Sequence, residues 1–192
     1  MPIDLLYLDE YQIMPFDINE DHYIKDVKII NAKKFDDNRG FFEEVYRHEI
    51  FNEFNLKYKF PQINLSFSKR NVFRGFHFQL NPVPQGKLVT VITGKIIDYA
   101  VDLRKNSKSF KKHVAYEIIN GKMIYIPEGF AHGFLALEDS YVLYLTTNEF
   151  NSKLDSGIRY DDKDLNIQLP DNIILSEKDK ELKHLKELNI DF

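Results

Sequence analysis

From about residue 24 to residue 147 the chain is made of short runs rich in Ile, Val, Phe and Tyr, broken by turn-forming residues, with no long helical stretch between them. Short β-branched and aromatic runs bounded by Gly, Pro, Asn and Asp read as strands. The candidates are 24–30, 40–46, 62–67, 72–78, 87–92, 95–103, 113–119, 123–126, 133–137 and 141–147, with turns at points such as Thr93-Gly94 and Asn120-Gly121. Many short strands without alternating helices predict an all-β antiparallel sandwich or barrel. Two short helices are expected beside them. Ile50, Phe51 and Phe54 fall at helical spacing, and Ser176 with Asp179 forms a capping pair ahead of Leu182 and Leu185 on one face.

At 192 residues the chain is one domain. Residues 1–22 precede the first convincing strand and read as an N-terminal extension: an added edge strand, an arm crossing onto a partner subunit, or a loosely held tail. Residues 23–192 form the β domain with a C-terminal helical segment. An aromatic content of 14% excludes a disordered chain. A net charge of −4 is of the wrong sign for nucleic-acid binding by phosphate neutralisation. The absence of Cys removes disulfide scaffolds, zinc ribbons and thiol nucleophiles. The N-terminus lacks a basic leader and carries Asp4, Asp9 and Glu10 among its apolar residues, so it does not read as a secretory signal. Apolar runs fall far short of the ~20 residues that span a bilayer. A cytoplasmic protein without membrane contact is expected.

Residues Gly121 to His132 fit the spacing G-x5-P-x-G-x2-H, in which a strand passes through a Pro-Gly turn and aims a histidine inward. This resembles the second motif of the cupin superfamily, a double-stranded jelly roll. Phe76-His77-Phe78-Gln79 sits where the first motif places its H-x-H pair, and strand alternation puts His77 and Gln79 on one face. Most cupins hold a metal with such residues. Here Gln79 replaces the second histidine and no carboxylate occurs between it and Lys87, which disfavours a metal-dependent oxygenase.

His77, Lys87, Tyr144 and Asp162 together suit proton abstraction beside a carbonyl, as base, enolate stabiliser, acid and histidine orienter. Each also has a plain structural reading. An inward strand histidine is commonly a hydrogen-bonded core residue, Lys87 can snorkel from a barrel rim, Tyr144 can be a core aromatic, and Asp is common in loops.

The segments RGFFEEVY (39–46), QINLSFS (62–68), FRGFHFQ (73–79), GKLVTVITGKIIDYAVDLR (86–104), YIPEGFAHGFLALED (125–139), SGIRYDD (156–162) and LSEKD (175–179) resemble, in order and spacing, the dTDP-4-dehydrorhamnose 3,5-epimerase family. The resemblance implies a cupin-like jelly roll acting as a homodimer without metal or redox cofactor. It implies that His77 is the base, Asp162 the carboxylate that hydrogen-bonds it, Tyr144 the acid on the opposite face of the sugar, and Lys87 the cation near the C4 oxygen. Arg39, Glu44, Gln62, Asn64 and Arg74 match nucleotide-diphosphate positions, and Arg159 is placed with the substrate-binding residues. Asp98 and His132 match polar residues of the pocket interior, His132 with either a structural or a catalytic part.

The chain departs from the family pattern at Phe150, where a second tyrosine is usual, and in the segment before Tyr23, which is additional. The expected reaction is inversion of C3 and C5 of a nucleotide-diphospho-4-keto sugar, a dTDP- or GDP-linked deoxyhexose or heptose, through an enolate, in the synthesis of cell-surface polysaccharide sugars. The alternatives are C3-only epimerisation and a sugar-binding cupin without turnover.

Overall fold

The computed structural model describes residues 14–54, 56 and 59–192. Among them, strands β1 (Phe16–Glu20), β2 (Lys28–Ala32), β10 (Lys122–Ile126), β7 (Lys87–Thr93), β12 (Ser140–Thr146) and β5 (Gln62–Ser68) form one sheet in that order. A second sheet runs β13 (Asp155–Gly157), β6 (Phe73–Gln79), β11 (Phe130–Ala136), β8 (Lys95–Asp102) and β9 (His113–Ile119). Strands β3 (Lys34–Asp37) and β4 (Gly40–Glu43) make a separate hairpin. All these ladders are antiparallel, as the all-β expectation required.

Each strand candidate overlaps an observed strand, although the first is displaced. Asp21 explains the displacement: its Oδ1 accepts from the backbone N–H of Tyr23 and Ile24, folding 21–27 into a turn and delaying β2 to Lys28. The described part of the N-terminal extension is an added edge strand, since β1 pairs with β2 from Phe16 to Glu20. The fold therefore includes residues before Tyr23. Residues 1–13 lie outside the described residues, and with them any question of an arm there.

Alternation builds the inner core. Val89, Val91, Ile96, Ala100, Ile124, Ile126, Phe134 and Val142 meet between the sheets. The outer face of the six-stranded sheet is covered by α1 (His48–Glu53), whose Ile50 and Phe51 pack with Phe16, Leu88 and Leu145. The outer face of the five-stranded sheet is covered by the C-terminal segment, through Ile158, Leu165, Leu185 and Ile190 against Phe73, Tyr99 and Val101. The second expected helix is α2 (Glu177–Lys180), capped as anticipated by Ser176 Oγ, which accepts from Asp179 N at 3.1 Å. It stops before Leu182, and Leu185 opens a separate 3-10 turn instead of extending one helical face. No helix among the described residues is long and apolar enough to cross a membrane.

Strand β5 inverts the usual pattern. Gln62, Asn64 and Ser66 are partly covered and turn toward the space between the sheets, while Ile63, Leu65 and Phe67 are 63%, 61% and 44% exposed on the outside. Polar groups thus line the open end of the sandwich.

Candidate active site

His77 owes its position to a bulge in β6. His77 pairs with His132 of β11, but Arg74 pairs with Phe134, so three steps along β6 match two along β11 and both Arg74 and His77 point inward. Gly75 makes this possible. It has φ of +141°, and a Cβ there would lie 2.5 Å from the Cα of Gly133. The sequence alternation correctly placed Gln79 beside His77, but Gln79 is bound to chain segments: its amide donates to the carbonyls of Val83 and Glu149, and its oxygen accepts from Asn151 N.

The carboxylate on His77 is Asp179, not Asp162. His77 Nε2 and Asp179 Oδ1 are 2.6 Å apart, and Asp179 is buried in the first turn of α2. Burial acts to raise the Asp179 carboxyl, but the hydrogen bond and charge of His77, aided by Ser176 and Lys178, outweigh it and hold the group below its ordinary value. Asp162 is occupied elsewhere. Its Oδ1 accepts from Asp164 N and its Oδ2 from Leu185 N, with His184 Nδ1 at 3.3 Å.

Lys87 and Tyr144 face His77 from the other sheet. Both are interior positions of the six-stranded sheet, on β7 and β12. Burial draws the Lys87 ammonium down to about 8, against the pull of Asp98 and Asp155, and its Nζ makes no hydrogen bond to the described residues. Burial pushes the Tyr144 phenol up, with Arg74 opposing, so it stays protonated at neutral pH. Beneath them His132 Nε2 lies 2.8 Å from Asp98 Oδ2, both residues buried. Burial lowers His132 and raises Asp98, each partner resisting the other's shift.

These groups line a cleft with two lobes of about 290 and 300 Å³ that share His77, Lys87, Tyr144 and Lys178. One lobe reaches Arg74 and His132, the other Gln62, Asn64 and Phe150. Arg74 donates to Ser68 Oγ and the carbonyl of Phe67, contacts that orient its guanidinium without neutralising it. Arg74 and Lys87 therefore present positive charge to the cleft with no carboxylate hydrogen-bonded to either, an arrangement suited to an anionic ligand. A base on one wall and an acid on the opposite wall suit removal and return of a proton across a bound molecule.

The family model for dTDP-4-dehydrorhamnose 3,5-epimerase matches residues 21–187. The chain belongs to the dTDP-4-dehydrorhamnose 3,5-epimerase family. A protein of that name from Methanothermobacter thermautotrophicus is 46% identical over 166 residues, 83% of this chain and 89% of the relative. The crystal structure of the Sulfolobus tokodaii epimerase superimposes with a TM-score of 0.86 at 39% identity, covering 93% of this chain and all of that one. The Legionella pneumophila epimerase, solved in complex with dTDP-4-keto-L-rhamnose, has a TM-score of 0.86 at 34% identity, covering 91% and 95%. The protein is thus an isomerase with a cupin-like fold.

Set against this epimerase family, the expected residues divide. His77, Lys87, Tyr144, Gln62, Asn64, Arg74, His132 and Phe150 line the cleft, with Asp98 behind His132. Arg39, Glu44 and Arg159 are outside the cleft lining. The Arg39 side chain is 85% exposed at the β3–β4 turn and pairs with Asp37, because the hairpin stands apart from both sheets. Glu44 pairs with Arg47. Arg159 pairs with Asp161 and donates to the carbonyl of Lys180, on the C-terminal segment. The cleft lining also includes Asp179, Lys178, Ser66, Ser176, Phe134, Gln85 and Asp155, none of them expected from the sequence as site residues. For Asp179 a signal was available, since LSEKD was among the family-like segments and its aspartate was read only as a cap.

Proposed function

We propose that this isomerase inverts C3 and C5 of a nucleotide-diphosphate-linked 4-keto sugar, with a dTDP-linked 6-deoxyhexose as substrate. The observation that carries the reading is the placement of His77 and Tyr144 on opposing sheets, with Lys87 lining both of the lobes they share. The C4 ketone acidifies the hydrogens on C3 and C5. His77 takes one of them from its face of the ring, Asp179 holding the imidazole and stabilising the imidazolium that forms. The electron pair moves onto the C4 oxygen, where Lys87 supplies positive charge. Tyr144 gives its proton to the same carbon from the other face, the ketone returns, and the centre is inverted. Solvent then takes the proton from His77 and restores that of Tyr144. The same groups serve the second carbon. Arg74, with Gln62 and Asn64, binds the nucleotide diphosphate.

A second copy of the chain completes the enzyme in this reading. The exposed Ile63, Leu65 and Phe67 of β5, with Tyr141 beside them, form an apolar face, and Phe41 and Phe42 of the hairpin are also exposed. Pairing of two copies over this face would bury it. It would also carry Arg39 and Glu44 to the partner's cleft and restore their expected part in nucleotide binding. The homodimer works in the cytoplasm, on precursors of cell-surface polysaccharide.

Phe150 supports a second reading. It stands in the cleft lining, 55% exposed, with a ring but no hydroxyl, and C3-only action follows if the family's second tyrosine is needed for C5. The test is incubation with dTDP- and GDP-linked 4-keto sugars in heavy water, reading deuterium at each carbon. Incorporation at both C3 and C5 of the dTDP sugar is expected. Incorporation at C3 alone, corrected by Phe150→Tyr, establishes the second reading, and none with any substrate refutes both.

A further inference from the structure

Helix α2 has four residues, Glu177–Lys180, too few to hold a fixed direction by its own hydrogen bonds. The direction of Asp179 toward His77 therefore depends on what ties the chain at either end of this turn. At its start, Ser176 caps the helix and Lys178 pairs with Asp155 of β13. At its end, the chain from Lys180 to Leu185 is bound by the segment 158–164. Arg159 N donates to Lys183 O at 3.0 Å and Arg159 Nη1 to Lys180 O at 3.3 Å. Asp162, 6% exposed, accepts from Leu185 N at 2.6 Å with His184 Nδ1 at 3.3 Å, while its other oxygen holds Asp164 N at 2.8 Å.

We propose that Asp162 and Arg159 form a clasp that fixes the segment following α2 and thereby positions Asp179 against His77. Both are positioning residues: neither lines the cleft, and each acts through the backbone that carries the carboxylate. The inference rests on the reading of His77 and Asp179 as the base and its orienter. The chemistry of Asp162 suits the part. A carboxylate is acceptor-only, and here its two oxygens accept two backbone N–H groups, one on each of the segments it joins. An amide in its place must turn an N–H₂ toward one of those donors, so Asp162→Asn weakens the join without changing side-chain size.

The test is a double-mutant cycle of Asp162→Asn and Asp179→Asn, with kcat and KM measured per folded enzyme for dTDP-4-keto-6-deoxyglucose. Asp162→Asn is expected to lower kcat by about tenfold, in keeping with the cost of misplacing a catalytic group by less than 1 Å, and to leave KM within twofold. In the Asp179→Asn background it should have no further effect on kcat. A loss in that background as large as in wild type, or wild-type kcat for Asp162→Asn, overturns the clasp. Should Asp162→Asn not fold, Arg159→Met, which removes the side-chain contact to Lys180 O and keeps the main-chain bond to Lys183, enters the same cycle: a smaller loss of kcat that vanishes in the Asp179→Asn background is expected, and a loss equal in both backgrounds overturns the clasp. If Asp179→Asn itself retains wild-type kcat, the His77–Asp179 reading fails and the clasp falls with it, a result distinct from failure of the cycle.

Discussion

His77 Nε2 and Asp179 Oδ1 lie 2.6 Å apart although 102 positions separate them in the chain. The contact joins an inner strand of one sheet to a helical turn outside the sandwich. It also sets the chemistry, because a buried carboxylate with this partner holds the imidazole in one orientation for proton abstraction.

Removing that charge should affect rate and acid stability together. Asp179→Asn is expected to lower kcat by about 10²–10⁴-fold. The Asp179 carboxyl is held below its ordinary value, so the stability it contributes is fully present above the unfolded-chain value and is lost as pH falls through the folded one. Thermal unfolding between pH 6 and pH 3 should show a smaller loss of stability in the variant than in wild type. An equal loss in both contradicts the assignment.

Lys87 predicts a trade between stability and rate. Its ammonium is drawn down to about 8 from 10.5 by burial, so the fold disfavours the charged form and stability should rise with pH between those values. Lys87→Met should stabilise the protein at pH 7 by on the order of 1–3 kcal/mol while greatly lowering kcat. Wild type should lose kcat/KM above about pH 8 as the ammonium deprotonates. Denaturant melts and a pH–rate profile measure both effects. A destabilised Lys87→Met would show that the cation is compensated within the fold.

The apolar outer face of β5 predicts self-association. Leu65→Glu, at a side chain 61% exposed in the single chain, should leave the fold intact and convert a dimer to a monomer in sedimentation equilibrium. A wild-type monomer at micromolar concentration, or a dimeric variant, contradicts the proposed pairing. If Arg39 serves the partner's cleft, the monomer should also bind dTDP more weakly.

Much of this architecture was legible because strand periodicity and turn residues are local signals. The inward positions of Lys87 and Tyr144 follow from alternation within a single strand. What escaped depends on contacts between distant segments. Arg74 was placed at the site by the family resemblance alone, since strand alternation sets it on the face opposite His77; its inward turn needs the bulge at Gly75, where β6 meets Gly133 of β11. The exchange of Asp162 for Asp179 has the same origin: both are aspartates near turns, and only the path of the C-terminal segment across the five-stranded sheet decides which one meets His77. Strand β3 was missed because all four of its residues are exposed, leaving no apolar alternation to read.

The central claim is that base and acid act from opposite walls, and solvent exchange in heavy water measures it most directly with wild type, His77→Asn and Tyr144→Phe side by side. Wild type should take up deuterium with inversion. His77→Asn should lose exchange by about 10²–10⁴-fold, and Tyr144→Phe should still exchange the proton on the His77 face while inverting little or none of it. Exchange at wild-type rate in His77→Asn, or unimpaired inversion in Tyr144→Phe, would contradict the account.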